Sequence, residues 1–436
     1  MRYLSVILVS LLLCGAANAL PRANAKYSVK RLENPNPGVE QLVLPYFFSP
    51  DSMGFNVGVG AIRKGLLQDQ MSIGGTVYGG DDSYGALAGV WNYRLPTTER
   101  WFASFIGFVG DFPNQRAYGG ASLVPIANDH ALPGSHNSSP NDYIEGQGAS
   151  NFWDVKLEYA LPIGATRDDA LLRYEVRNGL LVSEPTGGKV WNPLESGATV
   201  AILRQFNRYQ DFNLDSGNLE GTVHGLELGL LYDNTDFTLN PSFGSRQYLS
   251  VSHDNGWLDS EEQWTFLNFE ASKFFSLGES ATAHQRVVAL NFWTGYTPSW
   301  EVEEDAASNS RKVVGGAPYN EGARLGGFFR MRGYDNNRFH DKASIYTTAE
   351  YRHTLKYNPA DHVAWFRKIR MDWVQLVGFV EAGRVGEAYT SDELLQDLHV
   401  DYGMSVRTML AGMVVRFDLA KSDETTNFWV MAKHPF

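Results

Sequence analysis

The residues of this 436-residue chain that could do chemistry are charged rather than nucleophilic. No Gly-x-Ser-x-Gly elbow, Walker loop or His-Glu-x-x-His pair occurs, so acyl transfer, nucleotide hydrolysis and zinc hydrolysis have no recognisable machinery. The ten histidines are scattered. The nearest approach to a metal set, Asp129-His130 with His136, lacks the cysteines or helical spacing of a ligand cluster and reads as solvated. No catalytic, cofactor-binding or metal-ligating residue is assigned, no cofactor is expected, and the chain does not read as an enzyme. Ion-pair chemistry remains. Residues 324–334 read Arg-Leu-Gly-Gly-Phe-Phe-Arg-Met-Arg-Gly-Tyr, a glycine-rich, aromatic and basic stretch. Arg332 offers a planar fork of donors that matches a carboxylate and that lysine does not reproduce. Gly333 permits a tight bend, and Tyr334 and Phe339 read as packing residues. Upstream, Glu301-Val302-Glu303-Glu304-Asp305 reads as a solvated acidic face.

The elements that must position these residues follow from composition. Hydrophobic content of 43% with a mean hydropathy of −0.28 excludes both a helical membrane bundle and a disordered polymer. Forty-three glycines with 25 Phe, 21 Tyr and 11 Trp favour strands and turns. A net charge of −12 argues against nucleic acid. At the N-terminus, Arg2, an apolar stretch from Leu4 to Cys14 and Ala17-Asn18-Ala19 form the pattern of a signal peptide at 1–19, with a second possible cut after Ala25. Cleavage there removes Cys14, the only cysteine, so no disulfide is available to an exported chain.

Beyond the leader no apolar run is long enough for a membrane helix, but period-two alternation recurs. Trp153, Val155, Leu157 and Tyr159 alternate with Asp154, Lys156 and Glu158, and Leu172, Tyr174 and Val176 alternate with Arg173, Glu175 and Arg177. One apolar and one mixed-charge face suit a strand between lipid and a watery lumen. Sixteen such segments are predicted, at 52–64, 70–80, 83–94, 100–112, 150–161, 170–183, 197–209 and 222–235, then 244–253, 262–275, 284–296, 343–357, 372–384, 398–408, 410–421 and 426–436. Lys273 breaks the apolar face of its segment. A soluble solenoid or sandwich would also alternate, but no fixed repeat appears, and Phe436 ends the chain in phase with Phe428 and Val430 as a C-terminal barrel signal. The fold class is therefore all-β, a transmembrane antiparallel β-barrel of about sixteen strands.

Several segments together resemble the outer membrane protein 85 superfamily. Arg324 to Tyr334, continuing to Asn336-Asn337-Arg338-Phe339, is similar to its sixth-external-loop motif. Gly225 to Asp233 with Asn240-Pro241 and Gly244-Ser245-Arg246 resembles its mid-barrel hairpin. Ala349 to Arg352, Phe379 to Gly383, Tyr402 to Arg407, Val415 to Ala420 and the final Phe436 resemble its last strands. Met331, Glu381 and His434 depart from the usual residues. The resemblance implies that the glycine-rich, basic arm of the long 297–342 connection folds back into the lumen. Arg332 is then predicted to be held by Glu381 and Glu350, and alternation puts Glu381 on the inner face, in phase with Trp373, Gln375 and Phe379.

The resulting organisation is a signal peptide at 1–19, a short periplasmic segment at 20–51 and an outer-membrane barrel at 52–436, with no room before the barrel for the POTRA modules usual in this family. Counting strands back from the long loop puts segment 113–149 on the periplasmic side. The expected function is a loop-gated pore or an insertion and translocation component in the bacterial outer membrane; a passive porin-like or structural barrel is the alternative, and a lipid-active enzyme ranks last. Expected partners are outer-membrane lipid and lipopolysaccharide, the barrel assembly machinery for its own insertion, and a homodimer or separate periplasmic partner.

Overall fold

The computed structural model describes residues 23–33, 40–48, 53–80, 83–260, 262–318 and 320–436, so the expected signal peptide lies outside the described residues. Sixteen strands form one antiparallel sheet in strict chain order. The first eight are β1 (Glu40–Phe48), β2 (Asn56–Lys64), β3 (Ser72–Gly80), β4 (Tyr84–Arg94), β5 (Trp101–Ala117), β6 (Ile144–Ala160), β7 (Ala198–Leu214) and β8 (Gly217–Thr235). The rest are β9 (Gly244–Asn255), β10 (Gln263–Ser276), β11 (Ala283–Tyr296), β12 (Ala343–Leu355), β13 (Met371–Gly386), β14 (His399–Leu410), β15 (Met413–Lys421) and β16 (Thr426–Ala432). The sheet curls far enough that Lys64 Nζ at the end of β2 donates to the Gly412 carbonyl in the β14–β15 turn at 2.9 Å.

Alternation sorts the two faces. In β6, Asp154 and Glu158 are buried inside while Val155 is exposed outside. Leu230, Leu249, Leu267, Val380, Met404 and Leu419 extend the exposed apolar exterior, the surface that a lipid-facing wall presents. Lys273 stands on that exterior with its ammonium 5.7 Å from the Phe275 ring, keeping its charge at the end of the strand. Among the described residues no helix is long and apolar enough to cross a membrane, which bears on helices alone.

Four expectations are corrected. Segment 170–183 is not a barrel strand: Leu172–Arg177 pairs in parallel with Tyr27–Arg31 and antiparallel with Leu180–Leu181, forming a separate small sheet. Its apolar face packs Leu172, Tyr174 and Val176 on Ala25, Ala198 and Phe237. A half-buried strand alternates in the same way whether its apolar side meets lipid or protein, so period alone does not separate the two. The sixteenth barrel strand is instead β1, so the sheet begins at Glu40 rather than 52. Pro45 within it is tolerated because a terminal strand leaves one backbone edge unpaired.

With β1 counted and 170–183 removed, segment 113–149 moves to the side of the long loop, its flanks belonging to β5 and β6 and 118–143 forming the connection. Ile126–Ala127 pairs with Ser310–Val314 of that loop, and the Gly134 carbonyl accepts from His340 N at 2.7 Å. Finally, β16 stops at Ala432, so Phe436 does not continue the phase of Phe428 and Val430. Lys433 takes a φ of 70° and Pro435 removes a backbone donor, so the tail leaves the sheet. Phe436 then packs on Phe274, Val287 and Ala289 of the inner wall.

Candidate functional site

The connection between β11 and β12 begins as a hairpin, Glu301–Asp305 with Ser310–Val314, whose acidic strand is fully exposed. It then enters the barrel. Ala323–Leu325 pairs with Phe339–Asp341 to make a stem. Gly326 and Gly327, at φ of 105° and 104°, start the turn that carries residues 328–338 across the interior. Met331, Tyr334 and Phe339 are buried with Trp293, Tyr346 and Phe206 in one apolar cluster inside the wall. Each such side chain contributes about 1.5–3 kcal/mol by burial.

Arg332 is fully buried at the end of this arm. Its backbone N–H donates to Glu381 Oε2 at 2.6 Å and its Nε to Glu381 Oε1 at 3.1 Å. One terminal nitrogen reaches Glu350 Oε1 at 3.1 Å and the other Asp418 Oδ2 at 3.4 Å. The guanidinium stacks 3.5 Å from the Phe379 ring centroid, and Trp429 Nε1 donates to the Arg332 carbonyl at 2.8 Å. Four strands, β12, β13, β15 and β16, therefore converge on one loop residue. Gly333 lies so close to β14 that an added Cβ would stand 2.6 Å from Asp401 Cβ, and its carbonyl accepts from Ser422 Oγ at 2.7 Å. Tyr334 donates to Asp423 at 2.6 Å.

The surrounding ion pairs extend well past the residues singled out from the sequence. Arg407 forks onto Glu350 at 2.6 and 2.9 Å, Arg352 joins the same carboxylate at 2.9 Å, and Arg416 pairs with Asp418. The tail covers this cluster: His434 Nδ1 lies 3.0 Å from Arg407, and the Arg352 guanidinium is 5.0 Å from the Phe436 ring. A second clamp went unseen in the sequence. Glu321, just before the stem, accepts from Arg208 at 2.7 Å and Arg204 at 3.3 Å, both on β7. Those arginines also hold Asp154 of β6, and Arg204 holds Glu227 of β8. The inward phase of Arg204 and Arg208 was the available signal, since both alternate with outward Leu203.

The stem carries two perturbed groups. Burial, with Glu387 and Glu393 nearby, pushes the Asp341 carboxyl up to about 7, and burial beside Arg324 pushes His340 down to about 3. Asp129 and His130 lie exposed on the 118–143 segment, 3.0 Å apart, whereas His136 packs against His399 with ring centroids 4.4 Å apart.

At the opposite mouth the small N-terminal sheet closes on the wall. Lys26 Nζ reaches Glu158 at 2.7 Å, and Arg31 forks onto Asp372 at 2.7 and 2.8 Å. The interior is thus filled from both ends, by a basic loop on one side and the residues after 23 on the other.

A large antiparallel barrel with a basic loop locked onto inward carboxylates defines a membrane β-barrel of the loop-occluded kind. Residues 191–429 match the Omp85 superfamily domain, and this chain belongs to the Omp85 superfamily. It is similar in structure to CdiB from Escherichia coli, with a TM-score of 0.53 at 11% identity, covering 90% of this chain and 61% of that one. CdiB from Acinetobacter baumannii gives 0.47 at 10%, covering 90% and 58%. BamA from Haemophilus ducreyi lacking POTRA domains 1–3 gives 0.48 at 11%, covering 91% and 70%. The chain thus spans about three fifths of the length of the two CdiB chains. No curated protein sequence matches it. Family membership assigns it to the outer membrane.

Proposed function

We propose that this barrel is a loop-gated insertion or translocation component of the outer membrane, in which the Arg332 arm guards the lumen until a client arrives. The observation that supports this most is the attachment of one loop arginine to carboxylates of three separate strands, since a static filler needs no such reach across the wall. Arg332 and Gly333 hold the arm, Tyr334 packs it, and Glu381 and Glu350 receive it. Client capture is assigned to a homodimer or a separate periplasmic partner, and outer-membrane lipid and lipopolysaccharide surround the wall. A signal peptide at 1–19 exports the chain, and the barrel assembly machinery inserts it.

Reconstitution into a planar bilayer tests the gate. Intact protein is expected to conduct rarely, and a form lacking residues 324–340 to conduct steadily. A large steady conductance already present in the intact protein overturns the gating role. Insertion of a separately supplied unfolded barrel client distinguishes the insertion reading from a passive or structural barrel, which leaves the client unfolded.

A further inference from the structure

The β12–β13 connection, residues 356–370, is far longer than a hairpin turn requires. It contains a helical turn, Ala364–Lys368, with no buried residue. Trp365, Val363 and Tyr357 are 43%, 44% and 59% exposed. Beside them stand Arg367, Lys368 and Arg370; Arg370 pairs with Glu40 at 3.4 Å, Arg367 lines the cavity at the barrel mouth with Arg31, Asp372 and Trp373, and Lys368 has no acidic partner among the described residues. Trp365, Lys368 and Ile369 are spaced to share one helical face. Ile369 packs with Val415 and Val430, which stand in the outward phase of β15 and β16. That face is therefore continuous with the lipid-facing wall at the terminal strand. On β2's side of the sheet ends, Leu66 and Leu67 are also exposed in the turn after Lys64.

Large apolar groups beside an unpaired cation, at the rim of a lipid-facing wall, match the composition of an interfacial segment. We propose that residues 357–370 form a foot seated in the bilayer leaflet on this side. Trp365, Tyr357 and Val363 enter the headgroup and acyl-chain boundary, and Lys368 engages the phosphates of anionic phospholipids. The foot also touches both sheet ends. Ile369 packs with Val430 of β16, the Arg370 carbonyl accepts from Ala411 N at 3.1 Å in the β14–β15 turn, and the Arg370 guanidinium holds Glu40 at the start of β1. Leaflet composition thereby bears on the terminal strands. The inference rests on the barrel in its membrane and not on the transport reading.

The test uses the full chain with Cys14→Ser and Ala364→Cys, labelled with an environment-sensitive fluorophore, in phosphatidylcholine vesicles with or without phosphatidylglycerol. Cold gel electrophoresis checks that each variant is folded. The expected result is blue-shifted emission, quenched by lipids brominated on their acyl chains and strengthened by phosphatidylglycerol. Lys368→Gln is expected to lower the inserted-to-free ratio roughly fivefold at low salt, with a smaller effect as salt rises. Water-like emission in both vesicles overturns the proposal. Emission that is blue-shifted but indifferent to phosphatidylglycerol and to Lys368→Gln also overturns it.

Discussion

Two clamps hold the same loop with opposite polarity. At Arg332 the loop supplies the cation and the wall strands β12, β13 and β15 supply carboxylates. At Glu321 the loop supplies the anion and β7 supplies arginines. They differ in access to water, since Arg332 and its partners are fully buried whereas the Glu321 side chain remains 13% exposed. A dry ion pair that loses one member leaves an uncompensated charge with no solvent to receive it, whereas a wetter one is partly rehydrated. The difference teaches that the tip of the arm is the anchor and its base the hinge.

The largest break in this comparison is Arg332→Ala. It strands Glu381 inside the barrel, while Glu350 keeps Arg407 and Arg352, and a loss of about 3–5 kcal/mol is expected. The readout is the temperature at which the folded band disappears on heat-modifiability gels, together with steady conductance in a bilayer. Arg332→Lys is expected to restore little, because a point charge cannot bridge Glu381, Glu350 and Asp418 at once. Wild-type behaviour of Arg332→Ala in both assays removes the anchor.

Glu321→Gln sharpens the contrast with a smaller effect. Its loss of charge-assisted bonds is expected to cost about 1.5–3 kcal/mol, and it should give flickering rather than steady conductance, because the tip stays attached. A double-mutant cycle with Arg208→Gln should return positive coupling, and a cycle between Glu321→Gln and Arg332→Ala should be close to additive. Strong coupling of that second pair would show one clamp where two are described. Gly333→Ala ranks beside it: the new methyl meets Asp401 and Lys421, and overpacking of this kind costs about 1–3 kcal/mol.

How much of this was legible depends on the residue. The alternation of Asp154, Val155 and Lys156 reads correctly because β6 has lipid on one side and the lumen on the other. The same pattern at Leu172, Tyr174 and Val176 misleads, since its apolar side meets Ala25 and Phe237. Glu40–Phe48 contains Pro45, which would break a central strand but is tolerated at a sheet end. The order of motifs made Arg332 with Glu381 and Glu350 visible. Arg352, Arg407, Arg416 and Asp418 have the right inward phase, but their pairing is set by strand neighbours and barrel curvature, which no local window holds. The inward turn of His434 and Phe436 left only Pro435 as a sign.

The smallest expected effect lies between the clamps, in the stem, because two opposite ones cancel there. Asp341 keeps its proton up to about 7 when folded, whereas an unfolded chain releases it near 3.9. Stability from this group is therefore fully present below about 4 and is lost as pH rises toward 7. His340 stays neutral down to about 3 when folded, whereas an unfolded chain takes up a proton near 6.5, so its contribution is lost as pH falls from about 6.5. Between roughly pH 4 and 6.5 the slopes oppose each other, and the wild-type stem should respond little. Removing either group exposes the other: Asp341→Asn should make stability rise with pH across that window, and His340→Gln should make it fall. Arg324, Lys342, Glu387 and Glu393 flank the pair and are unchanged in both variants. Urea unfolding of the reconstituted barrel at several pH values compares the slopes, and parallel curves for the two variants would show that the stem opens, with His340 taking up and Asp341 releasing a proton, before the barrel unfolds.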